Sequence, residues 1–281
     1  MKAKHIYQNP EKYSKNNALQ YNFAMKTLSK LSFELNSRVL DIGCGDGVIT
    51  QEIAKIVATG CVIGTDISYP MIEHASKKYI EQENLRFLQM DASNNLFRDQ
   101  FDIITSFNCL HWVNDQQAAL TGIARAAASG AQIALLLSHR KSTYHFVLEK
   151  LCASEPWKQY FINFESPRSF FEVDTYKTMV KNSNLTLLDL SEEEMIYHFE
   201  SKDQLKEFFN AAGSQIKAIP EDLRKQFLDD FADEFITQLN CNEEDPIPLS
   251  FWCLQIVAAK PTIAPSLTTE TKHSPTLFAK L

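Results

Sequence analysis

Paired cysteines, clustered histidines and long apolar runs are all missing from this sequence. The six cysteines, at 44, 61, 109, 152, 241 and 253, form no C-x-x-C pair. Reduced, mostly buried thiols in a cytoplasmic protein are therefore expected. The seven histidines show neither H-E-x-x-H nor H-x-x-x-H spacing, so no metal centre is expected. No stretch approaches the ~20 apolar residues of a membrane helix. The opening MKAKHIYQNPEKYSKNN lacks the apolar core of a signal peptide. Basic charge is not in excess either, with 28 Lys and Arg against 35 Asp and Glu and a net charge of -7. Nucleic-acid binding calls for a basic face, so nucleic acid is not an expected partner. What is plentiful is phenylalanine, 19 in 281 residues. With 44% hydrophobic and 22% charged residues the chain has a globular composition, and its length alone would suggest about two domains.

Short apolar runs alternate with amphipathic stretches. Strands are expected at Arg38 to Ile42, Cys61 to Ile67, Arg86 to Met90, Phe101 to Phe107 and Ala131 to Leu137. Helices are expected between them, at Val48 to Ala58, from about Pro70 to Tyr79, and at about Asp115 to Ala127. Strands separated by single helices imply βαβ crossovers and a mostly parallel sheet. After Ser138 the pattern changes. Helical stretches lie near Tyr144 to Ala153 and Asp174 to Lys181, and strand regions return at Leu185 to Leu190 and near Met195 to Phe199. Helices follow at Lys202 to Ala212 and Pro220 to Leu239, then a last strand at Phe251 to Ala259. The expected organisation is an N-terminal helical segment (1–37) covering a ligand site, a catalytic domain (38–260) with a helical cap inserted at about 138–184, and a flexible tail (261–281). The terminal AKL is close to a peroxisomal address, for which chance is the simpler reading.

The strongest local signal is VLDIGCGDG, Val39 to Gly47. Gly43, Gly45 and Gly47 follow a strand and precede a helix, where glycine lets a ligand approach the main chain. A bare tight turn would look the same. Asp66, 19 residues after Gly47, ends the second strand, where a carboxylate can accept both ribose hydroxyls. Asp91 ends the third, where it could accept from an adenine amino group. Each alone could be a turn or a helix cap. A dinucleotide fingerprint would need glycine at 48, which is Val48, and acidic Asp41 would repel a pyrophosphate. S-adenosylmethionine carries an ammonium and a sulfonium and no phosphate, so these charges favour it over NAD.

VLDIGCGDG, Asp66 in GTDIS, Asp91 in QMDAS and the FDIITSF strand together resemble the class I S-adenosylmethionine-dependent methyltransferases, over residues 13–137 and more loosely to 260. The resemblance implies a doubly wound, seven-stranded Rossmann-like α/β sheet with an antiparallel last strand. It implies that Gly43, Gly45 and Gly47 line the methionine moiety near Asp41, that Asp66 and Ile67 meet the ribose, and that Asp91 with Ala92 faces the adenine. Tyr13 and Phe107 would border the same site. The turn before the fifth strand departs from the family's KPGG-like run and reads AASGAQ, Ala127 to Gln132.

Tyr13 and Gln20 in YSKNNALQ, with SFNCLHWVND from Ser106 to Asp115, are similar to juvenile hormone acid methyltransferases and, more distantly, trans-aconitate methyltransferases. A malonyl-carrier-protein methyltransferase group is similar in the second stretch. By that resemblance Gln20 and Trp112 would touch donor and acceptor, and His111 would border the site as the only evident candidate base. A small-molecule carboxylate acceptor is therefore expected, already ionised at neutral pH and in no need of a base. His111 could equally cap a strand end, and Trp112 could be core. Arg140, after the fifth strand, could fork onto an acceptor carboxylate or be a solvated surface residue; Tyr144 and His139 are further candidates. Trp157, Tyr160, Phe161, Phe164, Phe170 and Phe171 could line an apolar pocket or pack the cap, and favour an acid with an apolar body. The rival readings are another acceptor (a phenol, an amine, carrier-bound malonyl) or a non-catalytic S-adenosylmethionine-binding module. The sequence leaves the oligomeric state open.

Overall fold

The computed structural model describes residues 6–242 and 245–262. The 263–281 portion of the expected tail, with its AKL terminus, lies outside the described residues. The chain runs α1 (Pro10–Ser14), α2 (Ala18–Leu28), β1 (Arg38–Ile42), α3 (Val48–Ile56), β2 (Cys61–Asp66), α4 (Tyr69–Lys78), β3 (Leu85–Gln89), β4 (Phe101–Phe107) and α5 (Gln116–Ala126). It continues β5 (Ala127–Ser138), α6 (Thr143–Ala153), α7 (Val173–Asn182), β6 (Thr186–Phe199), α8 (Lys202–Ala212), α9 (Arg224–Leu239) and β7 (Ile247–Ala259).

The strands form one seven-stranded sheet in the order β3-β2-β1-β4-β5-β7-β6. β1 to β5 pair in parallel, and β7 pairs antiparallel with both β5 and β6. This is the doubly wound Rossmann-like sheet with the antiparallel last strand. The order reverses beside β1, so the loops after β1 and β4 splay apart and open the crevice where such sheets bind ligands. Helix starts are chemically marked. Ser68 Oγ accepts from the Met71 N–H ahead of α4, and Asp115 Oδ1 accepts from the Ala118 N–H ahead of α5.

Strand alternation divides the core in two. Val39, Ile103, Ala134 and Leu136 face α2, α3, α6, α8 and α9, whereas Leu40, Ile104, Ile133 and Leu135 face α5 and α7. The first face takes much of the phenylalanine. Tyr144 of α6 lies among Phe208, Phe209 and Phe231 at 5.7 to 6.2 Å between ring centroids. Trp157 is buried, packs edge-on against Phe227 and donates from Nε1 to Asp230 at 2.8 Å.

Four boundaries differ from expectation, the simplest being β7, which starts at Ile247 and not Phe251. The strand regions at 185–190 and 195–199 are one strand, β6, because Ser191 to Glu194 reads as a polar turn but lies on a sheet edge with room for charge. Glu193 there meets Lys26 and Lys30, and Glu192 meets Lys141. β5 starts at Ala127, not Ala131, with left-handed Gly130 (φ 78°) inside the run that read as a turn. The last helix begins at Arg224, after a short turn at Glu221–Leu223.

Candidate active site

The loop after β1 turns on left-handed glycines. At Gly43 (φ 76°) an added Cβ would overlap the Cys109 side chain. The N–H groups of Gly43 and Cys44 donate to Thr65 O at 2.6 and 2.9 Å, holding the loop against β2. Gly45 N–H donates to Asp66 Oδ2 at 3.1 Å, and Ser68 N–H donates to Asp66 Oδ1 at 2.8 Å. Burial raises the Asp66 carboxyl above its ordinary range, and these N–H groups oppose that rise. Asp91 Oδ1 accepts from Ser93 N–H and Oγ at 2.9 and 2.8 Å.

These groups wall a cavity of about 310 Å³. Of the residues expected at a cofactor, Tyr13, Gly43, Gly45, Asp66, Ile67, Asp91, Ala92 and Phe107 line it. Asp41 and Gly47 do not. Gly47 (φ 80°) starts α3, and an added Cβ there would meet Phe87 and Ala75 instead of ligand space. Asp41 points under the loop, where both its oxygens are taken, by Thr50 Oγ1 of α3 at 2.7 Å and Thr105 Oγ1 of β4 at 2.8 Å. Burial pushes its carboxyl up to about 6 against the pull of those two hydroxyls. Asp41 is thus a brace between β1, α3 and β4, and the acidic groups facing the cavity are Asp66, Asp91 and Asp115.

The N-terminal helices are fastened over the loop through Asp46. Its Oδ2 accepts from Ser14 Oγ at 2.6 Å and Asn17 Nδ2 at 2.9 Å. Ser68 Oγ donates to Tyr7 O at 2.5 Å. Tyr7, whose ring lies 5.0 Å from that of Tyr13, also lines the cavity. Nothing periodic or motif-like surrounds Tyr7, and sequence reading missed it.

A second cavity of about 30 Å³, room for about one water, adjoins the first and shares Tyr7, Tyr13, Asn108 and Trp112 with it. Gln20, His111, Ser138, Tyr144 and Arg168 complete its wall with Phe208 and Phe251. Here the structure brings Gln20, His111, Trp112 and Tyr144 together. Burial pushes the Tyr144 hydroxyl up to about 12. Three polar atoms of this wall, Gln20 Oε1, Asn108 Nδ2 and Arg168 Nε, are buried without a hydrogen-bond partner. Such groups are rare in folded chains and indicate room for a polar ligand. His111 accepts at Nδ1 from Ser138 N–H, 3.2 Å away.

Arg140 is elsewhere. Its side chain is 67% exposed and pairs with Glu149 of α6 at 3.2 Å, and it lines neither cavity. The turn after β5 aims it outward along α6. His139 likewise turns to Glu192, 3.1 Å away. The guanidinium in the cavity belongs to Arg168, on the loop between α6 and α7, a segment without strand or helix periodicity. Of the clustered aromatics, Trp157 packs the core, Phe171 meets Tyr176 edge-on, and Phe161, Phe164 and Phe170 line a half-open groove of about 410 Å³. Among the described residues, no helix is long and apolar enough to cross a membrane.

Comparison with known proteins agrees with this geometry. Residues 39–130 match a family model described as a methyltransferase domain. The chain is 28% identical over 229 residues to a protein of Invertebrate iridescent virus 6 named as a methyltransferase (235L), covering 82% of this chain and 85% of that one. It is 29% identical over 238 residues to the juvenile hormone acid O-methyltransferase of Drosophila melanogaster, covering 80% of each. Among solved structures, the phosphoethanolamine N-methyltransferase 2 of Haemonchus contortus in complex with S-adenosyl-L-methionine superposes with a TM-score of 0.59 at 17% identity, over 90% of this chain and 57% of that one. Sheet order, glycine loop and acidic strand ends define a Rossmann-like, donor-binding methyltransferase fold. The chain is a class I S-adenosylmethionine-dependent methyltransferase, an enzyme whose cofactor is S-adenosylmethionine.

Proposed function

We propose that the enzyme methylates the carboxylate of a small molecule with an apolar body. The observation that carries this reading is the hydrogen bond from Ser138 N–H to His111 Nδ1. A neutral imidazole accepting at Nδ1 carries its proton on Nε2. It can donate to an acceptor oxygen, but has no lone pair left to take a proton. Phenols and protonated amines need a base; a carboxylic acid of reference pKa ~4.3 is already ionised.

S-adenosylmethionine, when bound, supplies an electrophilic methyl on a sulfonium. The acceptor oxygen forms the new C–O bond as the C–S bond breaks; its electron pair stays on sulfur, and no proton is released. The chain's part is placement and exclusion of water. Gly43 and Gly45 present bare backbone to the donor, Asp66 would accept from its ribose hydroxyls, and Asp91 with Ala92 would meet the adenine. Ile67, Phe107 and Tyr13 supply apolar walls. Trp112 stands where the two cavities meet and covers the reacting centre from water, and Gln20 lines the smaller one. The juvenile hormone acid relative, named for a carboxylic acid, supports the same choice of acceptor. The test measures S-adenosylhomocysteine release with matched acids, phenols and amines. Turnover with acids alone is expected; turnover confined to phenols or amines would overturn the reading.

A further inference from the structure

The loop between α6 and α7 places one guanidinium against the small cavity. Arg168 Cζ lies 4.3 Å from the centroid of the Trp112 ring, a cation–π distance, and 5.9 Å from that of Tyr144. Its Nη1 is 3.2 Å from Nε2 and 3.3 Å from Nδ1 of His145. His145 is itself buried, tied to Ser138 Oγ at 3.0 Å and covered by Phe170 at 4.6 Å between centroids. Arg168, His111, Arg140 and His139 act on it electrostatically and the Tyr144 ring lies 5.0 Å away, and burial with the Arg168 charge holds His145 well below the usual histidine range. A neutral His145 can accept from Arg168.

Among the described residues, no Asp or Glu lies within ion-pair distance of Arg168, although most other basic groups near the sheet edge have such partners. Its Nε is buried and unbonded, and Gln20 Oε1 and Asn108 Nδ2, from the same cavity wall, are unbonded too. A partly buried cation without a counter-ion is costly unless an anion arrives with the substrate. The same residue also borders the half-open groove lined by Leu148, Phe161, Phe164 and Phe170, about 410 Å³ and so within the size range of small-molecule sites.

We infer that Arg168 is the residue that selects the acceptor: it binds the carboxylate of a monocarboxylic acid where the small cavity adjoins the larger one, while the acid's apolar body lies in the groove on its other side. This rests on the carboxylate reading above. His145 acts as a positioning residue that holds the guanidinium flat against Trp112. The kinetic signature follows from charge. The carboxylate loses its charge as the ester forms, so Arg168 stabilises the bound acid at least as well as the transition state. Its loss should raise KM and leave kcat unchanged or higher.

The test uses straight-chain acids from hexanoate to dodecanoate, with decylamine, a cation at neutral pH, as the counterpart of opposite charge, in calorimetry with S-adenosylhomocysteine present and in turnover. Wild type should bind and methylate acids of this series and ignore decylamine. Arg168→Gln should bind the preferred acid on the order of 10- to 100-fold more weakly, with S-adenosylhomocysteine affinity unchanged, which also reports an intact fold. Arg168→Lys, keeping charge without the fork, should fall between them. His145→Ala should raise KM, with His145→Gln restoring part of it. If wild type takes acids and Arg168→Gln binds them equally well, the inference is overturned and the carboxylate reading stands. If wild type takes no acid at all, both fall.

Discussion

Ser138 N–H donates to His111 Nδ1 across 3.2 Å, tying the end of β5 to the loop after β4. The bond leaves the imaginable base of this site as a donor. His111→Ala should therefore slow acid methylation only moderately, by about 10-fold, and kcat should stay level from about pH 6.5 to 9 in both forms. A steep loss with a new pH limb in the variant would identify His111 as a base.

Asp41 should show itself in stability. Its carboxyl is held at about 6 in the folded chain, against an ordinary 3.8. Below 3.8 both folded and unfolded forms are protonated and no penalty exists. Between there and about 6 the unfolded chain ionises first, so stability is lost as pH rises. At ~1.4 kcal/mol per pKa unit the loss is roughly 3 kcal/mol. Thermal melts of wild type should fall relative to Asp41→Asn between about pH 4 and 7. Parallel pH curves for the two would contradict this.

Gly43→Ala sets two faults against each other. The left-handed backbone costs about 1–2 kcal/mol for any side chain, and the new Cβ would overlap Cys109. Melting temperature and donor affinity should both drop. Adding Cys109→Gly should return part of the loss, because it removes the overlap and leaves the strain. No recovery in the double variant would place the fault in the backbone alone.

Asp46→Ala should loosen the cover over the larger cavity, since Ser14 and Asn17 both lose their shared acceptor. Limited proteolysis should begin cutting within α1–α2, and S-adenosylhomocysteine affinity should fall about 10-fold. Undiminished protection would mean that Tyr7 and Tyr13 hold the segment unaided.

Much of the sheet was readable because β1, β2 and β4 are buried on both faces and their apolar runs are bounded by glycines and capping residues. β6 reads as two strands in the sequence because its charged centre faces solvent at an edge, and a polar run says nothing about whether the backbone is paired. The larger cavity was legible through Gly43, Gly45, Asp66 and Asp91, which follow strand ends in the sequence and all line it. Asp41 misled because a strand's period of two turns it beneath the loop, to Thr50 and Thr105. The acceptor side was least legible. Arg140 sits beside the right strand end but points to Glu149, whereas Arg168 comes from an irregular loop that only the tertiary fold returns to Trp112.

The central claim is the atom that receives the methyl. The direct measurement supplies wild type with methyl-¹³C-labelled donor and a pool of apolar organic and fatty acids together with phenols and amines, and locates the label by NMR and mass spectrometry. The account predicts label in methyl esters that mild alkali hydrolyses back to the acids. Label in alkali-stable ethers or N-methyl groups, with no ester formed, would contradict it.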